Sequence, residues 1–464
     1  MKVRTLPIEK VISGGYCVGC GACAATIHRP VPMQFDARGF LIADLSGLSD
    51  EERLRANRVC PFSNNANESE IGAKIFSLYP ESVYDDVIGW NLSLHSGYSV
   101  KDRSLGSSGG IGTWLMKRIM QDRLIDYAIH VAPTPNDQAF FGYVVSSTTE
   151  QLESGATSFY HPVQLRDVLE FVRNTPGRYA VTAIPCFAKA LRLLMDEEPL
   201  FSERIVYVVG IVCGQLKSTW YLDYLCRHAG VDGNLIKACF RRKQSGRPAD
   251  DYMFEAEYLN ADQQAMVASV SNKIIGANWG MGFFKPKACD FCDDVFAETA
   301  DIALMDAWLP RFVDDWRGTS LMVVRHPALA TLLEQGKASG DIIGDNVTIA
   351  DTIASQQGGL NHRRPGLRYR LHLVRESWVP TKRVSASSDF HWSFKLDQLT
   401  RLFMRDASFH ALKVQRRIGR GIRAFRALMK VPILIFKVVS KIKVRHQARL
   451  RSGISPARNF HTDS

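Results

Sequence analysis

Three cysteines at two-residue gaps stand near the start of the sequence and define its first candidate site. Cys17, Cys20 and Cys23 form the run Cys-Val-Gly-Cys-Gly-Ala-Cys, and Cys60, followed by Pro61, comes after a further 36 residues. Thiolates at this spacing surround one corner of a four-iron, four-sulfur (4Fe–4S) cluster, and a later Cys-Pro supplies the remaining ligand. Zinc is the alternative, although zinc sites more often use separated cysteine pairs. We therefore predict a 4Fe–4S cluster held by these four cysteines.

Four further cysteines are candidates for a second site. Cys186 and Cys213 each follow an apolar stretch that predicts a strand, whereas Cys289 and Cys292 form a C-x2-C pair on a predicted loop. Ligands of open α/β sheets bind at the carboxyl ends of the strands, so the four thiols meet if the loop returns to that edge. The alternative is a zinc-binding pair on the loop and two isolated buried cysteines. The residues alone leave both open.

A turn rich in serine and glycine precedes a predicted helix and is a candidate phosphate site. Its residues are Ser107, Ser108, Gly109 and Gly110. Backbone amides at a helix N-terminus bind phosphate groups, assisted by the positive end of the helix dipole. The turn matches neither G-x-G-x-x-G nor a P-loop, so an ordinary tight turn is an equal alternative. These patterns predict no catalytic residue.

Strands and helices alternate around these candidate residues. Strands are predicted over 92–100, 125–131, 178–183, 204–212 and 300–305. Continuous apolar runs between helices indicate a parallel sheet that is covered on both faces, and the serine- and glycine-rich turn lies within a predicted βαβ unit. A second predicted helix covers 188–195, and Ser49 is expected to cap a helix that delivers Cys60 to the first site.

Composition places the charge of the chain in its C-terminal part. The 464 residues carry a formal net charge of +11, but residues 401–464 hold 16 Lys and Arg against 2 acidic residues, so the preceding 400 sum to −3. The clustered cysteines favour metal ligation in a reducing compartment. The N-terminus lacks a signal-peptide pattern, and no run reaches the ~18 apolar residues of a membrane span. A cytoplasmic protein is expected.

Residues 401–464 are predicted to form a basic, amphipathic, helical tail. An apolar stripe recurs at helical spacing at Ile418, Ile422, Phe425 and Met429. Pro432 is expected to end one helix and begin another. A helix of this kind binds an anionic membrane surface or a partner protein, and a disordered tail is the third alternative. We expect the membrane surface, with the protein peripheral on the inner face of the membrane.

Seven short motifs stand in the order found in one family. They are C-V-G-C-G-A-C with a later C-P, S-S-G-G before a helix, S-F-Y-H-P, I-P-C, C-G, C-D-F-C-D-D and A-D-I-A-L-M-D-A-W. Over about residues 14–310 the chain resembles the beta subunit family of coenzyme F420 hydrogenase and dehydrogenase, which also includes plant 7-hydroxymethyl chlorophyll a reductase.

The resemblance implies an iron–sulfur flavoprotein oxidoreductase. The first four cysteines would hold one 4Fe–4S cluster, the second four would hold another, and the serine- and glycine-rich turn would lie on FAD. Electrons would pass between the clusters and FAD, to or from an unidentified substrate or a deazaflavin carrier, coenzyme F420. A redox partner protein, either a ferredoxin or a catalytic subunit, is also implied. The run Arg241-Arg242-Lys243 departs from the family pattern; it could meet an acidic cofactor, but a solvated charged stretch is the expected role.

The expected fold class is α/β (α+β overall), with an N-terminal ferredoxin-like 4Fe–4S unit, an α/β flavin-binding body and a basic helical tail. The expected domains are a ferredoxin-like unit (1–65), an N-terminal FAD-binding region (85–180), a C-terminal cluster and flavin region (181–320), a family-divergent extension (321–400) and the tail (401–464).

Two other functions stay open at this point. A non-catalytic electron-transfer subunit of a larger redox complex would share the cysteines. A zinc-stapled protein that binds nucleic acid or a partner would need a positively charged body, and the −3 balance of residues 1–400 argues against it. We therefore expect no specific nucleic acid partner.

Overall fold

The computed structural model describes residues 6–63, 65–136 and 139–451. Within these ranges the strands are β1 (Met33–Phe35), β2 (Leu41–Ala43), β3 (Val83–Asp85), β4 (Gly89–Asn91), β5 (Ser93–Ser99), β6 (Tyr127–Asn136), β7 (Ala139–Ser146), β8 (Tyr179–Ala183), β9 (Ile205–Ile211), β10 (Asn234–Arg242), β11 (Met253–Leu259), β12 (Ala265–Ser271), β13 (Ile302–Asp306), β14 (Ser320–Val324) and β15 (Ile342–Asn346). The α-helices are α1 (Pro7–Ser13), α2 (Ala22–Ala25), α3 (Asp50–Val59), α4 (Glu68–Phe76), α5 (Ile111–Gln121), α6 (Arg166–Asn174), α7 (Pro185–Glu197), α8 (Pro199–Arg204), α9 (Thr219–Ala229), α10 (Pro310–Val313), α11 (Pro327–Ala338), α12 (Ile349–Ser355), α13 (Gln357–Arg363), α14 (Pro365–Leu373), α15 (Trp392–Ile418) and α16 (Arg423–Arg451).

One large sheet organises the body of the protein. Among the described residues, eight strands form it in the order β15-β5-β14-β13-β9-β8-β6-β7. The central strands β13, β9, β8 and β6 pair in parallel, whereas β14, β5 and β15 on one side and β7 on the other pair antiparallel. The chain therefore has a mixed α/β fold, as its sequence predicts at that level. The predicted all-parallel sheet is wrong outside the central strands.

Helices cover both faces of this sheet. Val181 of β8 enters a core on one face with Phe187 and Leu191 of α7. Its neighbour Ala180 enters a different core, which contains Leu115 of α5. Successive strand residues point to opposite faces, so two apolar cores on the two faces explain why the strands read as continuous apolar runs.

The predicted βαβ unit exists but is wider than its sequence indicates. β5 and β6 run in the same direction, because two antiparallel pairings separate β5 from the parallel centre. However, β14, β13, β9 and β8 lie between them in the sheet. α5 makes the connection and buries Ile111, Leu115 and Ile119 along one side. The strands that separate β5 from β6 come later in the chain, so the local pattern does not contain them.

The N-terminal segment contains the predicted helix that ends at Cys60. The Ser49 hydroxyl accepts a hydrogen bond from the Glu52 amide at 3.2 Å, and the Glu52 carboxylate accepts one from the Ser49 amide at 2.8 Å. This capping box fixes the start of α3, and Cys60 directly follows its last residue. The β1–β2 hairpin was not predicted, because strands of three residues are too short to show an alternating hydrophobic pattern.

The three-stranded antiparallel sheet β10-β11-β12 packs against the C-terminal helices. Phe240 and Phe254 share a core with Phe409 of α15 and Phe425 of α16. The domain boundaries stay a prediction, and α15 runs through position 400. No helix in the described part of the chain is long and apolar enough to cross a membrane.

The apolar stripe expected to meet a membrane packs mainly inside the protein. Ile422, Phe425 and Met429 are buried in the core just described, whereas Ile418 is exposed. The predicted break at Pro432 is also wrong, since α16 continues through this residue. Proline removes one backbone hydrogen bond from a helix, and the packing of apolar residues on both sides of it against one core offsets that loss.

Candidate functional site

The first four predicted cysteines surround one small cavity. Cys17, Cys20, Cys23 and Cys60 all line it. Gly19 turns the chain between the first two at a φ of +68°, where a Cβ would stand 2.5 Å from the Leu41 carbonyl oxygen. The Gly19 amide donates to the Cys17 sulfur at 3.4 Å. The structure therefore brings these four thiols together, with backbone amides close to sulfur.

Polar side chains hold the loop that carries Cys60. The Ser63 hydroxyl and the Asn65 side-chain amide both donate to the Cys60 carbonyl oxygen, at 3.0 and 2.9 Å. Burial raises the pKa of the Cys60 thiol to about 11, and the neighbouring Cys17 raises it further. Binding of a cationic iron centre to these ligands must therefore displace their protons.

The second four predicted cysteines also meet, although three separate segments carry them. Cys186 lies in the first turn of α7, which begins at Pro185 and is longer than predicted, while Cys213 follows β9. Cys289 lies in the 3-10 helix Lys287–Phe291, and Cys292 follows it. Burial raises the pKa of Cys186 well above its usual range, and so do the charges of the other three thiols. The loop thus brings Cys289 and Cys292 close to Cys186 and Cys213, which is one of the two arrangements that the sequence left open.

Backbone groups also approach this second set of thiols. The Leu216 amide donates to the Cys289 sulfur at 3.3 Å, and the Cys292 thiol donates to the Asp294 carbonyl oxygen at 3.4 Å. Burial raises the pKa of Cys213 to about 11 against the nearby Arg363 charge. Across the described ranges, no set of three or more His, Cys, Asp or Glu side chains has the spacing of a single metal ion.

The two cysteine groups are neighbours. One apolar cluster joins the groups. It contains Cys60, and Cys17 and Cys23 of the first group and Cys186 of the second all pack against it. Tyr143 is close to both groups: burial raises its pKa, and so do the charges of Cys186 and Cys20. An electron carrier held by one group would therefore adjoin a carrier held by the other.

A cavity of about 610 Å³ opens beside the second cysteine group. Cys213 lines one part of its wall, and Ser107, Ser108 and Gly110 line another. Gly109 lies behind that wall, where its amide donates to the Ser320 hydroxyl at 3.1 Å. Cofactor sites typically measure about 300–1,000 Å³, so the cavity is large enough for a nucleotide cofactor.

The serine- and glycine-rich turn lines this cavity directly before α5. The two hydroxyls are used within the protein: Ser107 shares a hydrogen bond with Thr157 at 2.8 Å, and Ser108 donates to the Thr319 carbonyl oxygen at 2.8 Å. Gly110 precedes α5 with a φ of +77°, and a Cβ there would lie 2.5 Å from the Asp102 backbone. The first residues of α5, Ile111, Gly112 and Thr113, also line the cavity, and a helix N-terminus is a position at which proteins bind phosphate.

The stretch Arg241-Arg242-Lys243 belongs partly to the site, which corrects its expected role as a solvated charged run. Arg241 is buried and pairs with both carboxylate oxygens of Asp306, at 2.8 and 3.0 Å. The Lys243 ammonium donates to the carbonyl oxygens of Arg103 and Ser108, at 2.6 and 2.7 Å. Only Arg242 is exposed, beside Glu255. Arg241 is buried because it pairs with Asp306, and no local sequence pattern connects these two distant residues.

Basic side chains outnumber acidic ones among the residues that line the cavity, although Lys285 and Arg401 pair with Asp290 and Asp397. The lining basic residues are Lys217, Arg241, Lys285, Arg363 and Arg401, against the single carboxylate Asp306 among the lining residues. Burial lowers the pKa of Lys217 to about 7, and the Lys285 charge adds to that shift. Burial likewise lowers the pKa of Lys243 to about 7 beside Arg103. A cavity with this wall suits an anionic ligand.

Arg363 joins the cavity to the second cysteine group and was not predicted. Its guanidinium donates to the carbonyl oxygens of Cys213 and Gly214, the latter at 2.8 Å, and hydrogen-bonds the Cys292 side chain. The residue is 3% exposed. Its Nε atom is buried without a hydrogen-bond partner in the described part of the chain. An unpaired, buried N–H donor of this kind fits a site in which a bound group accepts its hydrogen bond.

Sequence comparison identifies two adjacent regions of one family. Residues 94–170 match the N-terminal region of the coenzyme F420 hydrogenase/dehydrogenase beta subunit, and residues 177–348 match the C terminus of the same beta subunit. No curated protein matches the chain in sequence.

A solved structure resembles part of the chain. It is the xenon-derivatised F420-reducing NiFe hydrogenase complex from Methanosarcina barkeri, of which one chain is 17% identical at a TM-score of 0.49, covering 65% of this chain and 99% of that one. The two family matches follow one another along the sequence and span both the turn at Ser107 and all four cysteines of the second group. The chain belongs to the coenzyme F420 hydrogenase/dehydrogenase beta subunit family.

Proposed function

We propose that this protein is an iron–sulfur flavoprotein oxidoreductase subunit that passes electrons between two 4Fe–4S clusters and FAD. One observation carries the proposal: two four-cysteine groups adjoin each other, and the second opens on a large cavity that a helix N-terminus also faces. Family membership supports an iron–sulfur redox subunit. When bound, the clusters would supply one-electron transfer, and the flavin would couple it to hydride chemistry.

The first cysteine group fits a cluster rather than a structural disulfide. Its cysteines are free thiols in a single cavity. Backbone N–H groups near thiolates lower their electron density and tune the potential of a bound cluster. The close approach of the Gly19 amide to Cys17 supports this use. Cys17, Cys20, Cys23 and Cys60 would be the ligands.

The second cysteine group fits a cluster whose ligands tie several elements together. Cys186, Cys213, Cys289 and Cys292 would be the ligands. Arg363 adds a buried positive charge that favours the thiolate form of these side chains. The Leu216 amide adds a second donor to sulfur. An all-cysteine donor set of this kind suits an iron–sulfur cluster.

The cavity beside the second group fits FAD. The α5 N-terminus would hold the pyrophosphate, with Ser107, Ser108 and Gly110 shaping the turn and Gly109 packed behind it. Lys243 fixes this turn by bonding the Ser108 carbonyl oxygen. Tyr160 and Trp279 also line the cavity, and their rings make an edge-to-face contact at 4.8 Å.

The second substrate would be anionic, because the cavity wall carries several basic side chains. A deazaflavin carrier of the F420 type meets this requirement, as do other anionic metabolites. A redox partner protein, either a ferredoxin or a catalytic subunit, would exchange electrons through the first cluster. A non-catalytic electron-transfer subunit is the alternative, and the absence of bound flavin from protein with full iron content would select it.

Cysteine replacement tests the assignment of the ligands. We expect Cys20→Ser, in anaerobically reconstituted protein, to lose roughly four of roughly eight irons per chain while retaining its flavin. Cys226→Ser is the matched control, since Cys226 is a partly buried thiol of α9 outside both groups. Equal iron loss in both variants, or no loss in Cys20→Ser, would contradict the proposal.

A further inference from the structure

The long C-terminal helix α16 has two apolar faces. The inward face consists of Phe425, Met429, Ile433 and Phe436, and Ile422, just before the helix, continues it. The outward face consists of Leu428, Val431, Leu434, Ile435 and Val438. Phe425 is 1% exposed, whereas Val431 is 62% exposed. A helix on the surface of a globular protein normally carries polar residues on its outer side, and packing among residues 6–63, 65–136 and 139–451 does not account for the outward face.

A row of positive charge runs along one side of α16, between its two apolar faces. The row consists of Arg423, Arg426, Lys430, Lys437 and Lys441, all of them exposed. Helical spacing places these positions next to the outward face. The α16 sequence contains no Asp or Glu. The row therefore has no compensating acid within its own helix.

The preceding helix α15 contributes a second exposed apolar row. It consists of Trp392, Leu396, Leu399 and Phe403, spaced i, i+4, i+7 and i+11. The two helices pack against each other: Lys443 pairs with Asp397 at 2.9 Å, and Arg401 lies over the Phe436 ring at 6.0 Å. One helical hairpin thus carries both exposed rows.

We propose that this hairpin binds the surface of an anionic lipid bilayer. The outward face of α16 and the apolar row of α15 enter the boundary between headgroups and acyl chains, while the basic row contacts lipid phosphates. Helices that lie in this plane combine an apolar face with a Lys- and Arg-rich flank. The basic row complements a negatively charged surface. The face that meets the lipid is therefore not the stripe expected from the sequence, of which Ile422, Phe425 and Met429 are buried.

Charge favours a bilayer over a second copy of this chain as the occupant. α16 carries nine Lys and Arg and no acidic residue. Two copies that met through this face would bring like charges together, which disfavours association. A bilayer containing anionic lipid offers phosphate groups and apolar depth at the same surface.

Vesicle sedimentation of the full chain tests the proposal. We expect the protein to sediment with vesicles of phosphatidylcholine and phosphatidylglycerol, and not with phosphatidylcholine alone. The variant Val431→Ser, Leu434→Ser, Val438→Ser removes three outward side chains, and its binding should fall on the order of a hundredfold. The variant Lys430→Gln, Lys437→Gln, Lys441→Gln should weaken binding to a similar degree, about fivefold per charge.

Matched controls use the same substitutions at other exposed positions. Leu78→Ser, Val83→Ser, Val267→Ser replaces one exposed Leu and two exposed Val, and Lys101→Gln, Lys237→Gln, Lys273→Gln replaces three exposed lysines. Both controls should bind vesicles like the unchanged protein. Sedimentation that ignores phosphatidylglycerol, or outward-face variants that bind as well as their controls, would overturn the proposal. So would a dimer in solution that the outward-face variant dissociates, because a second copy would then cover the face.

Discussion

Arg363 places a buried positive charge against the second cysteine group, and its replacement by methionine tests whether that charge tunes the site. The guanidinium hydrogen-bonds the Cys213 and Gly214 carbonyl oxygens and the Cys292 side chain. Reduction adds negative charge to a cluster, and a nearby cation stabilises that charge. We expect Arg363→Met to lower the midpoint potential of the cluster held there.

The size of the shift follows from Coulomb's law. A unit charge about 6 Å from an added electron, at an effective dielectric constant of about 20, contributes about 3 kcal/mol. This corresponds to about 120 mV for a one-electron couple, at about 2.3 kcal/mol per 100 mV. Arg363 is 3% exposed, so salt in the solvent screens this interaction weakly. A decrease on the order of 100 mV is therefore expected.

A redox titration monitored by electron paramagnetic resonance measures the shift. The Cys20→Ser background leaves the second cysteine group intact, so that cluster can be followed by itself. Arg363→Lys keeps the charge and should recover most of the potential. Arg368→Met is the matched control, because Arg368 is an exposed arginine of α14 that donates to the Ser385 carbonyl oxygen. An unchanged potential in Arg363→Met protein with full iron content would refute the reasoning.

Three further predictions concern the turn, one histidine and one helix cap. Gly110→Ala should weaken FAD binding and lower stability, since its φ of +77° and the Asp102 backbone leave no room for a Cβ, whereas Gly340→Ala, at the same φ but in open space away from the cavity, should leave the flavin content unchanged. Burial lowers the pKa of His161 to about 4, below the ~6.5 of an unfolded chain. The unfolded chain therefore binds a proton that the folded protein does not, and stability falls as the pH drops between these values. Urea unfolding should show that His161→Gln removes about 2 kcal/mol of the decrease in unfolding free energy between about pH 7 and pH 5. Ser49→Ala removes the cap of α3 and should lower the unfolding free energy by about 1 kcal/mol, measured by thermal unfolding.

The parts of the site that depend on short sequence patterns could be predicted. Ser49 and Glu52 form a capping box within four residues, so the helix that leads to Cys60 was readable from the chain. The apolar run at β9 likewise placed Cys213 at a strand end. These signals are local, because helix capping and hydrophobic periodicity are both visible within a few residues of sequence.

The parts that depend on distant contacts could not be predicted. Arg363 reaches the cysteines only because α13 folds over the sheet edge, and Arg241 is buried only because Asp306 ends a strand beside it. The prediction that the apolar stripe of the tail is exposed failed for the same reason. Its helical period was correct, but period alone does not say which of two apolar faces of α16 packs inward.

Chemical analysis of the anaerobically purified full chain tests the central claim most directly. Two four-iron clusters and one flavin predict roughly eight irons, roughly eight acid-labile sulfides and about one FAD per chain. Roughly one zinc per chain, with neither acid-labile sulfide nor flavin, would contradict the account.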